Sequence, residues 1–126
     1  MSTITIAGNL TEDPTIRYTP SGRAVANLRV LENTGHYDRD AGKWVEDPEP
    51  NAFNVTVWGD QAENVAESLH KGDAVVGYGT ITTNSYETAQ GERRTSQVIT
   101  ADVIGASLRR ATATVTRKPR KSENQD

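Results

Sequence analysis

The chain has 126 residues, a net charge of −3 and no cysteine. That length suffices for one domain with a single core, and the missing cysteine excludes disulfides and thiolate metal sites and suits a reducing cytosol. No apolar run approaches the ~20 residues of a membrane span, and "MSTITIAGNL" lacks the basic-then-apolar order of a secretory signal, so the expectation is a cytoplasmic protein without a membrane partner.

Strand-like alternation dominates the chain. "STITIAGNL" places Ile4 and Ile6 on one side of a first strand that ends near Gly8 and Asn9. "EDPTIRYTPSGR" reads as turns, through Pro14, Pro20 and Gly22. In "AVANLRVLE", Ala24, Ala26, Leu28 and Val30 form one face, and Val25, Asn27, Arg29 and Leu31 the other. The polar segment 33–50 is long for a bare connection and predicts a functional loop or a protruding hairpin. "AFNVTVW" is a third strand, with Phe53, Val55 and Val57 toward a core.

A helix follows. Asp60 is placed to cap it, with Glu63 three residues on as in a capping box. Ala62, Val65, Ala66 and Leu69 repeat as one buried face. Lys71 suits the negative helix end, and Gly72 suits a left-handed stop. In "DAVVGYGTITT", Val75, Gly77, Gly79 and Ile81 share a face, and the glycines predict a bend or bulge. "NSYETAQGER" reads as a second exposed loop. "RTSQVITADVIG" is the last strand, with Val98, Thr100, Asp102 and Ile104 opposite Ile99, Ala101 and Val103. Residues 1–110 make up the predicted domain, and 111–126 read as a short disordered tail. Five strands with one helix after the third give an all-β fold with one short helix. That is the order of the OB-fold, a five-stranded Greek-key barrel.

Two features stand out from this frame. Trp58 alternates with Phe53, Val55 and Val57, so it shares the polar face with Asn54 and Thr56. Charge is also uneven. Up to Arg110 there are 10 Lys/Arg against 15 Asp/Glu, a balance of −5, while "RKPRK" makes the tail basic. Any basic groove must therefore come from local clustering.

"GNLTEDPTIRYTPSGRAVAN", from Gly8 to Asn27, closely resembles the N-terminal signature of the bacterial single-stranded DNA-binding protein family. "VTVWGDQAENVAESLHKGDAVVGYGTI" resembles that family's strand, aromatic-Gly turn, helix, Lys-Gly and next strand, and "TNSYETAQGERR" its long loop. The match covers roughly residues 2–108. The resemblance implies an OB-fold homotetramer that wraps single-stranded DNA without sequence preference, in replication, recombination or repair. It also implies stacking aromatics on the exposed sheet face and in the loops, with Trp58 and Tyr86 at matching positions. Where many relatives have a tryptophan after the second strand, this chain has His36, with Tyr37 and Trp44 nearby. The family's acidic tip closed by Pro-Phe is not found in "RKPRKSENQD", so recruitment of DNA-processing proteins through such a tip is not expected.

The physical case for Trp58 is that every base has a flat π-face. Stacking therefore gives sequence-tolerant affinity; the competing role for Trp58 is packing under a loop or against another subunit. Tyr86 is a second stacking candidate, or else a loop anchor. Arg17, Arg23, Arg29, Lys43, Lys71, Arg93 and Arg94 are candidates for phosphate contacts, with Arg93-Arg94 near Tyr86 the best pairing. Tyr18 reads as half-packed structure, Tyr78 as a subunit contact and Phe53 as core. The first strand is suited to edge-to-edge pairing with a second copy. The basic tail is either a non-specific DNA contact or a solvated end. Catalytic and metal readings find no support: His36 and His70 lack ligand spacing, Asp38 and Asp40 lack the glycine and distal glutamate of a calcium loop, and no nucleophile has a base beside it. No cofactor is expected, and an OB subunit acting mainly through protein contacts is the alternative reading.

Overall fold

A computed structural model describes residues 2–32, 35–46 and 51–119, without the side chains of Gly35, His36 and Glu46. Its elements are β1 (Ser2–Leu10), β2 (Thr15–Tyr18), β3 (Ala24–Leu31), β4 (Gly35–Asp38), β5 (Lys43–Glu46), β6 (Ala52–Trp58), α1 (Asp60–Ser68), β7 (Ala74–Glu87) and β8 (Arg93–Ala106). Five of these strands form a ring in the order β1-β7-β8-β6-β3, and β2 flanks β3. The ring closes where Asn9 and Leu10 of β1 pair with Leu31 and Val30 of β3. The β6–β8 seam is parallel and the other ladders are antiparallel. With α1 after the third ring strand, this is the expected five-stranded Greek-key barrel, the OB-fold.

Closure depends on a missing side chain. A Cβ on Gly8 would lie 2.4 Å from the Leu31 carbonyl oxygen, so the two strands can cross only at glycine. Inside the ring, Ile6, Leu10, Leu28, Val30, Val55, Val57, Val75, Ile99 and Ile104 form the core. Each such side chain contributes roughly 1.5–3 kcal/mol of burial. Ala62, Val65 and Leu69 seat α1 against it, while Ala66 is only partly covered.

Several local expectations are corrected. Thr15–Tyr18 is a strand, paired with Ala24–Asn27, because the flanking Pro14, Pro20 and Gly22 bound a four-residue strand instead of replacing it. "NSYETAQGER" is not a loop. β7 and β8 stay paired out to Glu87 and Arg93, leaving only 88–92 as the turn. Segment 35–46, by contrast, is the protruding hairpin offered for it, with Tyr37 opposite Trp44, and Asp38 at its tip accepts hydrogen bonds from the Asp40 and Ala41 amides. Gly59, not Asp60, takes the N-cap of α1. Asp60 is the first helical residue, where its charge still faces the positive end of the dipole. Glu63 accepts a hydrogen bond from the Tyr18 hydroxyl at 3.1 Å, which ties α1 to β2. The helix stops at Ser68, with Leu69 already extended, so Lys71 and Gly72 belong to the next turn. There Gly72 has φ +92° and donates to the Leu10 carbonyl at 2.8 Å.

The glycine-rich strand does carry a bulge, between Tyr78 and Gly79. A Cβ on Gly79 would sit 2.1 Å from the Thr100 carbonyl oxygen. Opposite it, Asp102 is the extra residue of β8, and this resets the alternation: Ile99 and Ile104 both reach the core, where strict period two would put them on opposite faces. Gln61 of α1 clamps the bulge, donating to the Asp102 carbonyl at 3.2 Å and accepting from the Ile104 amide at 2.8 Å.

Candidate nucleic-acid interface

Directly opposed residues on neighbouring strands share a face, so the registers define the outer surface of β2, β3 and β6. Arg17, Val25 and Trp58 form one row, and Thr15, Asn27 and Thr56 the next; Arg29 and Asn54 form a third. Across the parallel seam, Thr56 and Asn54 continue to Thr100 and Val98 of β8, and then to Thr80 and Thr82 of β7. The surface is polar and hydrogen-bonded within itself: the Thr56 hydroxyl donates to Asn27 at 3.4 Å, and the Arg29 guanidinium to Asn54 at 3.5 Å.

Trp58 lies half-buried at the end of this surface. The Arg23 guanidinium carbon stands 4.7 Å from the centroid of its ring, within the ~6 Å reach of a cation–π contact. Val25, opposite Trp58 on the outward side, is nonetheless only 2% exposed. Arg17, Arg23 and Arg29 thus gather on one sheet face of a chain whose overall charge is negative.

The paired strands β7 and β8 continue this side beyond the barrel. Asn84 opposes Ser96, and Tyr86 opposes Arg94. Tyr86 is 52% exposed, and Arg94 is held by Glu92 at 3.1 Å. Arg93 opposes Glu87 and, one residue away, points to the other side of the arm. The structure therefore joins Arg94 with Tyr86 and separates Arg93 from both. On the β4–β5 hairpin, Tyr37 and Trp44 form an exposed cross-strand aromatic pair, with Asp38 and Lys43 paired beside it. His36 pairs with Val45, and its side chain lies outside the described residues.

The family model for the single-strand binding protein family matches residues 1–107. The chain belongs to that family. It is 48% identical over 119 residues to the single-stranded DNA-binding protein of Mycobacterium bovis, covering 94% of this chain and 72% of that one. The Mycolicibacterium smegmatis protein of the same name is 46% identical over the same shares. The crystal structure of a small single-stranded DNA-binding protein from Streptomyces coelicolor superposes with a TM-score of 0.77 at 28% identity, over 87% of this chain and 97% of that one.

In this single-strand binding family member, Lys71, expected as a phosphate contact, and the tail, expected as either a DNA contact or a solvated end, lie off the sheet face. Lys71 sits in the turn after α1, where its amide donates to the Asp13 carboxylate at 2.8 Å. In the tail, Lys118 is paired with Glu67 of α1 at 2.7 Å, and Arg120 and Lys121 lie outside the described residues. In the sequence Arg23 is one candidate phosphate contact among several. Its seat on Trp58 follows from the β2–β3 turn, which puts it one residue before the strand that faces Trp58.

Proposed function

We propose that this chain is a non-enzymatic protein that binds single-stranded DNA without sequence preference and protects it during replication, recombination or repair. The observation that carries this reading is Trp58, a large flat ring with Arg23 against it, on a mainly polar sheet face that also carries Arg17 and Arg29. Bases stack on the ring, and arginines neutralise phosphates. The Asn/Thr rows lead from there toward Tyr86 and Arg94, and Tyr37 and Trp44 offer a second aromatic pair. Because the π-face is common to all bases, affinity depends on stacking and charge instead of base identity. The relatives' names support the same ligand.

Titration with single-stranded DNA, double-stranded DNA and RNA, each at two salt concentrations, tests the proposal. The expected result is tryptophan quenching by oligo-dT, with a preference for the single strand. Equal binding of duplex, or no binding, refutes it.

Assembly as a homotetramer in the cytoplasm belongs to the same proposal. Val76, Tyr78 and Val103 are 43%, 50% and 51% exposed on adjacent strands, an apolar patch suited to another copy. Beside it, β1 pairs with β7 on one edge, and among the described residues its other edge pairs only through Asn9 and Leu10. The same patch favours a second reading, an assembly subunit working mainly through protein contacts. Intact sedimentation as a tetramer without DNA affinity would select that reading; a monomer unaffected by Val103→Lys would remove the patch from both.

A further inference from the structure

The Arg23 side chain stands apart from its neighbours. Arg29 bonds Asn54 and Arg94 bonds Glu92. Among the described residues, the indole of Trp58 is the only partner recorded for the Arg23 guanidinium. Its backbone is firmly held. The Arg23 amide donates to the Thr19 hydroxyl at 3.0 Å, and its carbonyl accepts from the Thr19 amide at 2.9 Å. Gly22, at φ +89°, lets the chain turn back there. The other end is tied as well: the Gly59 amide, next to Trp58, donates to the Ala24 carbonyl at 2.8 Å. Two backbone anchors thus set the cation beside the ring and leave the guanidinium free to swing about its own stem.

We infer that Arg23 is a gate on the Trp58 platform: in the unbound protein it occupies the ring face that a base takes, and on binding it moves off the ring to a backbone phosphate. This rests on the DNA-binding reading above. A guanidinium and a base cannot share one indole face, and the half-buried ring has little other surface to offer. The exchange couples stacking to charge. Leaving the ring opposes binding by roughly 2- to 5-fold, the Boltzmann factor of an exposed cation–π contact. Reaching a phosphate favours binding, and releasing its counterions adds about 0.7 to the log–log salt slope.

Measuring Kd for oligo-dT over a range of salt concentrations with the full chain, Arg23→Ala and Arg23→Lys tests the exchange. The alanine line is expected to be shallower by about 0.7 and to cross the wild-type line. The variant binds more weakly at low salt and about 2- to 5-fold more tightly at high salt, where the phosphate contact is screened. Arg23→Lys is expected to keep the wild-type slope. An alanine line that is weaker by one factor at every salt would make Arg23 a layer of the stack and overturn the gate, as would superimposable lines.

A DNA-free measurement separates this inference from the binding proposal. With Trp44→Phe, Trp58 is the only emitting tryptophan of the two in the chain, and adding Arg23→Ala is expected to raise its quenching by acrylamide. Unchanged quenching shows that the ring was never covered, whatever the protein binds.

Discussion

Val57 and Trp58 are neighbours in β6 with opposite surroundings, and they supply a stability-matched test of the interface. Val57 is 0% exposed. Val57→Ala removes two carbons at about 0.8 kcal/mol each and leaves a cavity, so it costs roughly 2–3 kcal/mol. Trp58 is half-buried, and Trp58→Ala costs about half the 3–5 kcal/mol of a fully buried tryptophan, or roughly 2 kcal/mol. Both variants are therefore expected to melt about 10–20 °C below the parent chain. Binding should separate them. Trp58→Ala loses a stacking platform worth about 1–3 kcal/mol, or roughly 5- to 150-fold in Kd, whereas Val57→Ala keeps the parent Kd. The assay is fluorescence anisotropy of labelled oligo-dT at a temperature well below both transitions, with thermal melts run alongside. Equal Kd values for the two variants would refute the assignment of Trp58 and make it a packing residue.

Arg94→Ala is expected to lower the log–log salt slope by about 0.7, while Arg93→Ala, on the other side of the arm, leaves it unchanged; titrations at several salt concentrations check both. Gly79→Ala drives a Cβ into the Thr100 carbonyl and should cost more than about 4 kcal/mol, whereas Gly105→Ala, with nothing within 4 Å, stays within about 0.5 kcal/mol; thermal melts compare the two. Gln61→Leu strips the Ile104 amide of its acceptor and should cost about 1–3 kcal/mol, read as a lower urea midpoint at unchanged m-value.

Much of the barrel was legible because its strands bury one face. Ala24, Ala26, Leu28 and Val30 advertise β3, and Val55 and Val57 mark β6 and leave Trp58 outside. The outer halves of β7 and β8 gave no such signal. From Thr82 to Glu87 every residue is exposed, so no apolar period distinguishes a two-sided polar arm from a loop. β2 hid for a similar reason, since all four of its residues are exposed. Ile104 falls on the wrong face because the bulge that the β7 glycines announce takes its extra residue from β8, where no residue type marks Asp102 as that residue. The site was half legible. Alternation finds Trp58, but the Arg23 contact and the split between Arg93 and Arg94 require the register across strands.

The long β7–β8 pair has a mechanical consequence. Val75 sits in the core and Tyr86 near the tip of the same strand, about 36 Å apart at ~3.3 Å per residue. The pair is a cantilever whose root is the barrel, and its one recorded irregularity is the bulge at Tyr78 and Gly79. A load applied at the tip first meets the barrel where β1 pairs up to Ile81 and β6 up to Val98, ahead of the bulge that Gln61 clamps. The arm is therefore rooted in its neighbouring strands, far from anything the tip touches.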